Sequence, residues 1–324
     1  MSAFVYDVQQ VSQSYKKGKT RILANEHITM NIREGEIVGV LGPNGAGKST
    51  LIKQLVGHLK PTEGRVLFCG QDVHKQTHTV AGLVAYFAQE PHVLSSLRVI
   101  DALVYTGQLR GMSAWEAKRQ ALELLERFEM SDLGDKLMKR LSGGQKRMIG
   151  IGTTLIGRSP VLIFDEPTNE LDPKKRRLVW SLIQERNREG ATVILVTHNV
   201  LEAEQVVDRV AVINHGRLLA LDHVSRLKQR VDQRLKFELT AAYGKREEAE
   251  SVLQLWGEVQ AMSENRLRLL VEKEQAHRLF DFIMENPALP IEDYTITPPS
   301  LEDVYFHIDA VAASSAVQGQ EAIE

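Results

Sequence analysis

Ile37-Val38-Gly39-Val40-Leu41-Gly42-Pro43-Asn44-Gly45-Ala46-Gly47-Lys48-Ser49-Thr50 is the stretch that decides the fold. Its first five residues form a short apolar, β-branched run, the pattern of a strand buried on both faces in a parallel sheet. Gly42 to Ser49 then match G-x-x-x-x-G-K-[ST]. Glycines at such a turn let successive backbone N–H groups converge on phosphate oxygens at the positive end of a helix. Lys48 would reach the β- and γ-phosphates, Ser49 would offer its hydroxyl to Mg²⁺, and Thr50 would be close enough to join the phosphate contacts. Leu51, Ile52, Leu55, Val56 and Leu59 follow at helical spacing, so strand, loop and helix occur in the order that a phosphate-binding loop requires.

Working outward, two more runs of the same kind appear at Val161–Phe164 and Val193–Val196. Strand, turn and helix repeated along the chain imply a doubly wound α/β domain. The second run ends in Asp165-Glu166, and in a parallel sheet that end faces the same crevice as the phosphate loop. Asp165 suits a Mg²⁺ held through water, and Glu166 suits the polarisation of an attacking water. Leu141-Ser142-Gly143-Gly144-Gln145 lies upstream; a serine and two glycines opening a helix read either as a second anion nest or as an N-capped helix. Two nests in one chain pose a question, because one nucleotide has one γ-phosphate.

The remainder divides by pattern. Residues 92–140 turn charged and helical, with Trp115–Glu129 carrying Ala121, Leu122, Leu124 and Leu125 as its apolar positions. Past about residue 220, alternation at Leu235, Phe237 and Leu239 marks a half-exposed strand. Helices over 245–256 and 275–285, strands over 258–262, 266–271 and 291–296, and a last helix over 299–307 then follow. The order βαββαβ predicts a small ferredoxin-like module.

Composition limits what such a chain does. Lys and Arg number 40 against 42 Asp and Glu, a net charge of −2, which argues against a nucleic-acid binder driven by phosphate neutralisation. The basic runs at Lys16–Lys19 and Lys174–Arg177 read as solvated surface. A single cysteine, Cys69, excludes an intrachain disulfide framework and suits a reducing compartment. No basic segment followed by an apolar one opens the sequence, so no secretory leader is expected. No stretch reaches the 18–20 apolar residues of a membrane span, so a self-contained channel is excluded and a subunit docking on one is not.

The phosphate loop, Leu141–Gln145, the Asp165-Glu166 strand end and His198 after the third strand together resemble the ATP-binding cassette (ABC) family. The resemblance covers residues 4–220. It implies a P-loop NTPase cassette: a parallel-sheet core, an antiparallel β subdomain and a helical subdomain over about 90–155. A ferredoxin-like α+β accessory domain would follow over 230–308, and a flexible tail over 309–324. It also answers the question of two nests. In that family two cassettes pair head to tail, each ATP lying between one phosphate loop and the partner's LSGGQ motif. Tyr15, whose surroundings read as an irregular loop, stands where an aromatic stacks on adenine or is an exposed loop tyrosine; Gln89 stands where a glutamine touches Mg²⁺, and His198 where a histidine contacts the γ-phosphate. Asn169-Glu170-Leu171-Asp172 fits the loop that crosses the dimer interface, with Asp172 at its key position; Glu170 departs from the pattern, in a place commonly small.

The implied activity is ATP hydrolysis, with catalytic Glu166, His198 and Lys48, a metal site of Ser49, Gln89 and Asp165, and a homodimer as the pairing. A separate integral membrane permease subunit would dock near Gln89 and residues 90–115, which puts the chain on the cytoplasmic face of a prokaryotic membrane. Pro298 to Tyr305 resembles the end of ATPase subunits from daunorubicin-resistance and sodium-extrusion exporters, which implies export. A soluble family member acting on a ribosome or nucleic acid is the alternative. It fits less well, because the Lys48–Asp165 interval leaves no room for long coiled coil.

Overall fold

The computed structural model describes residues 4–17, 20–89, 95–198, 200–231, 233–304 and 308. The chain divides into two units, Met1–Val224 and Ser225–Glu324.

The first unit opens with a hairpin of β1 (Phe4–Lys17) and β2 (Thr20–Arg33), then β3 (Ile37–Leu41), α1 (Lys48–Leu55), β4 (Glu63–Phe68), β5 (Gln71–Asp72), α2 (Thr77–Leu83) and β6 (Val84–Phe87). Helices α3 (Val99–Leu109), α4 (Ala114–Arg127) and α5 (Gly143–Leu155) come next. The chain then returns through β7 (Val161–Asp165), α6 (Pro173–Arg188), β8 (Thr192–Val196), α7 (Val200–Glu204), β9 (Arg209–Asn214) and β10 (Arg217–His223). The main sheet runs β10-β9-β3-β8-β7-β6 and is parallel except for its edge strand β10. Every residue of β3, β7 and β8 is buried, as their unbroken apolar runs predict. Their carboxyl ends share one edge of the sheet, where α/β folds bind ligands.

A second sheet, β2-β1-β4-β5, is antiparallel. Tyr6, Ile28 and Ile32 of that sheet share one apolar core with Val38 and Val40 of β3 and Leu51, Ile52 and Leu55 of α1. Each buried Leu or Ile contributes about 1.5–3 kcal/mol, and this shared core fixes the helix behind the phosphate loop. The helix is shorter than its apolar spacing predicts. It stops at Leu55, Gly57 turns the chain at φ +79°, and Leu59 lies beyond the last turn.

In α4, Ser113 and Glu116 form a reciprocal capping box, and Ala117, Ala121, Leu124 and Leu125 are buried. Leu122 is 52% exposed, so it belongs to the outer face and not to the apolar stripe of the sequence reading. At about 100° per residue it lies about 60° beyond Leu125 and about 100° from Ala121, outside the arc shared by Leu124, Ala117, Ala121 and Leu125.

The second unit begins within α8 (Val224–Lys228) and continues with β11 (Leu235–Ala241), α9 (Arg246–Leu253), β12 (Glu258–Ala261), β13 (Arg266–Val271), α10 (Lys273–Glu285) and β14 (Ile291–Thr297). Its sheet is antiparallel in the order β12-β13-β11-β14. Alternate residues Phe237, Leu239, Leu267 and Leu269 pack against Leu253 of α9 and Leu279 of α10, a core of its own. Residues 301–304 are helical. The rest of the predicted last helix, 305–307, and the expected tail over 309–324 lie outside the described residues.

Candidate active site

The loop from Gly42 to Gly47 joins the centre of the sheet to α1, and its backbone is held from three sides. Asn25 of β2, fully buried, donates from Nδ2 to the Gly47 carbonyl at 3.1 Å. Gly216 N–H donates to the Ala46 carbonyl at 3.0 Å, and Leu51 N–H to the Gly47 carbonyl at 3.0 Å. Two glycines are dictated by space. Gly47 has φ +101°, and a Cβ there would lie 2.3 Å from the Ala24 carbonyl oxygen; a Cβ on Gly42 would lie 2.0 Å from that of Ile213. Pro43, Asn44 and Gly45 form the exposed crest, and Ala46 is buried beneath it. Because Gly47 is the N-cap, no side chain caps the first turn of α1, and its amides are left for an outside acceptor.

Lys48 stands at the head of α1 with its ammonium donating to the carbonyls of Gly42 at 2.7 Å and Pro43 at 2.9 Å. Burial pulls its pKa below the ordinary lysine value, opposed by the charges of Glu166 and Asp165. A buried ammonium held by loop carbonyls is placed to exchange them for an anion entering the loop. Ser49 and Thr50, both half-buried, continue the same turn.

Asp165 ends β7 at 2% exposure, with the side chain of Ser49 near enough to favour its charged form. Burial first, and then the charge of Glu166, push its pKa up to about 6, while Ser49 and Lys48 oppose the shift. A buried carboxylate beside a hydroxyl is a hard oxygen donor set of the kind Mg²⁺ takes.

Glu166 is held at φ +52°, a conformation unusual for a residue with a side chain. Its N–H donates to the Val196 carbonyl at 2.9 Å, tying it to the end of β8. Oε1 lies 2.9 Å from Nδ1 of His198, whose own side chain is about half exposed. Oε2 is buried and, among the described residues, has no hydrogen-bond partner. A carboxylate oxygen in that state is a base awaiting a proton donor, and water is the smallest one that fits.

Arg147, one turn into α5, was not singled out in the sequence and holds this centre together. Its guanidinium donates to the carbonyl of Glu166 at 2.7 Å and to that of Gln89 at 3.4 Å, and lies 5.7 Å from the Phe87 ring centroid. Burial lowers its pKa, against the charges of Glu170 and Glu166. The available signal was a charged residue among Met148, Ile149 and Ile151, all of which are buried. Asn25 was missed as well, for lack of any local signal in an alternating strand.

The structure thus gathers Lys48, Ser49, Asp165, Glu166 and His198 at one sheet edge, with exposed Gln89 joined through Arg147. Other predicted residues stand apart from that cluster. Ser142 and Gln145 satisfy each other: Gln145 N–H donates to Ser142 Oγ at 3.3 Å, and Ser142 N–H to Gln145 Oε1 at 3.0 Å. Gly143 is exposed and Gly144 half-buried on the first turn of α5. Asp172 caps α6 by accepting from Lys175 N–H at 3.0 Å, which holds its carboxyl below the ordinary aspartate range. Tyr15 is 40% exposed and sits on β1 opposite Ile22, on a paired strand and not in the irregular loop expected for it.

Known proteins with this arrangement agree with one another. The family described as "ABC transporter" matches residues 25–169. The daunorubicin resistance ATP-binding protein DrrA3 of Streptomyces coeruleorubidus is 32% identical over 288 residues, covering 88% of this chain and 90% of the relative. The daunorubicin/doxorubicin resistance ATP-binding protein DrrA of Streptomyces peucetius is 38% identical over 63% of this chain, a match that spans 62% of the relative's length. A dimeric structure of the ATP-binding cassette MJ0796 in a post-hydrolysis state, bound to ADP and Pi, superposes with a TM-score of 0.63 at 26% identity. It covers 67% of this chain and 98% of that cassette. The fold, the phosphate loop and these relatives together establish that the chain belongs to the ABC transporter family, as an ATP-binding ATPase subunit.

Proposed function

We propose that the chain powers an exporter by pairing with a second copy around two ATP molecules and hydrolysing them. The observation that carries this reading is the buried Oε2 of Glu166, without a hydrogen-bond partner among the described residues, on a carboxylate that His198 braces from the other oxygen. Gly42 to Gly47 would cradle the triphosphate with backbone amides, and Lys48 would turn its ammonium from loop carbonyls to the β- and γ-phosphates. Tyr15 would stack on the adenine ring. Ser49, Asp165 and Gln89 would hold Mg²⁺, which when bound neutralises phosphate charge. Glu166 would accept the proton of the attacking water while His198 steadies the γ-phosphate. Ser142 to Gln145 and Asp172 would meet the nucleotide held by the partner cassette, which is consistent with their separation from the Lys48 cluster.

Among the described residues no helix is long and apolar enough to cross a membrane. A separate membrane subunit would therefore complete the transporter, with this chain at its cytoplasmic face. A groove of about 740 Å³ beside Gln89, lined by Tyr86, Leu97, Tyr105, Leu109 and Ile149, supports docking there, since Leu109 is 89% exposed and Tyr105 49%. Of the predicted docking segment, residues 90–115, residues 90–94 lie outside the described residues. Export is supported by the two Streptomyces relatives, whose names record drug resistance.

Replacement of Glu166 by Gln tests the reading. ATP binding should persist, turnover should fall about 100-fold or more, and ATP should now produce a long-lived dimer. Turnover at the parent rate would refute the role of Glu166. Mild-detergent purification from the native membrane should bring an integral subunit with the chain.

A further inference from the structure

We propose that Glu170 is an electrostatic brake on ATP-driven pairing: its carboxylate rests against the first turn of α5, where the triphosphate on the partner cassette would land. The inference rests on the head-to-tail reading above and adds a regulatory element to that same site.

Glu170 lies beside that turn. A Cβ built on Gly143 would lie 3.7 Å from Oε2 of Glu170, and one on Gly144 would lie 3.7 Å from the Glu170 carbonyl oxygen. The carboxylate is therefore within reach of a side-chain atom placed on the glycine turn that opens α5. Glu170 has φ +62°, a left-handed conformation that favours glycine, so its side chain is retained where backbone preference argues for a smaller residue. It is also exposed, so no burial of its own explains it. Its charge acts on Arg147, the residue that holds the Glu166 and Gln89 carbonyls.

Two features make this carboxylate an opponent of a phosphate. The N-terminal turn of a helix carries about half a unit of positive charge, which favours whichever anion is nearest. Like charges at a few ångströms repel, and the repulsion grows as pairing excludes water. A symmetric dimer holds two such contacts, so the opposition counts twice. Pairing then waits until both nucleotides, with their cations, are present to outweigh it.

The test uses the full chain in the Glu166→Gln background, comparing Glu170 with Glu170→Gln, which keeps shape and removes charge. Sedimentation velocity reads the Mg·ATP concentration that gives half-maximal dimer. Removal of the charge should lower that concentration about threefold to tenfold, and the difference between the two proteins should shrink as salt rises from 0.05 to about 0.5 M. Binding of a fluorescent ATP analogue to the monomer should not change, because the brake acts across the interface. An unchanged or raised midpoint overturns the brake and leaves the head-to-tail reading intact. A parent that forms no dimer at saturating Mg·ATP overturns both. Glu170→Gly serves as the second variant should the glutamine protein fail to fold; it also removes the charge, and the same shift is required of it.

Discussion

Arginine 147 offers the sharpest test of how this site is held. Its replacement by Ala removes a charge-assisted hydrogen bond of 2.7 Å to the Glu166 carbonyl, a second of 3.4 Å to that of Gln89, and a guanidinium 5.7 Å from the centroid of Phe87. A hydrogen bond from a charged donor contributes about 1.5–3 kcal/mol and the ring contact about 1 kcal/mol. Against these stands relief from desolvation, because burial already pulls the Arg147 pKa down. The net loss should be about 2–3 kcal/mol, which for a cassette of this size lowers the melting midpoint by about 4–12 °C.

Activity should fall further than stability alone explains. Glu166 is held at φ +52° by its N–H bond to Val196 on one side and by Arg147 on the other. Freed on one side, its carboxylate would lose register with the water it is proposed to activate, and a misplacement near 1 Å costs about 100-fold in kcat. Steady-state ATPase assays well below the lowered melting midpoint would read this as a loss in kcat with KM for ATP little changed. Arg147→Lys, which keeps charge but has one donor group in place of a fork, should recover only part of the rate. If Arg147→Ala melts early yet turns over ATP at the parent rate, the residue only packs the interior and its positioning role is wrong.

Other outcomes follow from the same geometry. Gly47→Ala sets a Cβ 2.3 Å from the Ala24 carbonyl at φ +101°, so equilibrium ATP binding should weaken by about 100-fold or more while the sheet remains folded by circular dichroism. In the second unit, Asp303 accepts from Lys236 Nζ and from Ser300 N–H at 2.8 Å. Burial pushes its pKa up, but Lys236 and Ser300 outweigh that and leave it below the ordinary 3.8. The folded carboxyl thus binds a proton less readily than the unfolded one, so its stabilisation is complete above about pH 4 and disappears as pH falls through the depressed value. Protection factors along β11 and β14, taken relative to the intrinsic exchange rate at each pH, should fall below about pH 4 in the parent. Asp303→Asn should raise exchange at neutral pH and flatten this acid dependence.

Legibility in the sequence tracks how local the cause is. The unbroken apolar runs of β3, β7 and β8 were readable because burial on both faces needs no partner to be named. The βαββαβ order of the second unit was readable from alternation at Phe237 and Leu239 and at Leu267 and Leu269. Readings failed where a neighbour decided the outcome. Leu59 fits the helical spacing of α1, but Gly57 ends the helix first. Leu122 fits a count of apolar residues, but the face of α4 that meets the core passes through Ala121 and Leu125. Tyr15 looked like part of an irregular loop because its pairing with Ile22 is a property of two segments together.

What the sequence determined by itself is the chemistry on offer: a phosphate loop, two carboxylates at a strand end, a histidine after the next strand, and a serine–glycine turn opening a helix. Those depend on residue type and short-range spacing, which a chain carries before it folds. Tertiary structure decided which of these groups meet. It set His198 against one oxygen of Glu166 and left the other without a partner among the described residues. It also joined Glu166 and Gln89 through Arg147, and laid Glu170 on the first turn of α5. Each of these contacts spans residues far apart in the chain or in separate elements, so each exists only once the sheet order and helix packing have been fixed.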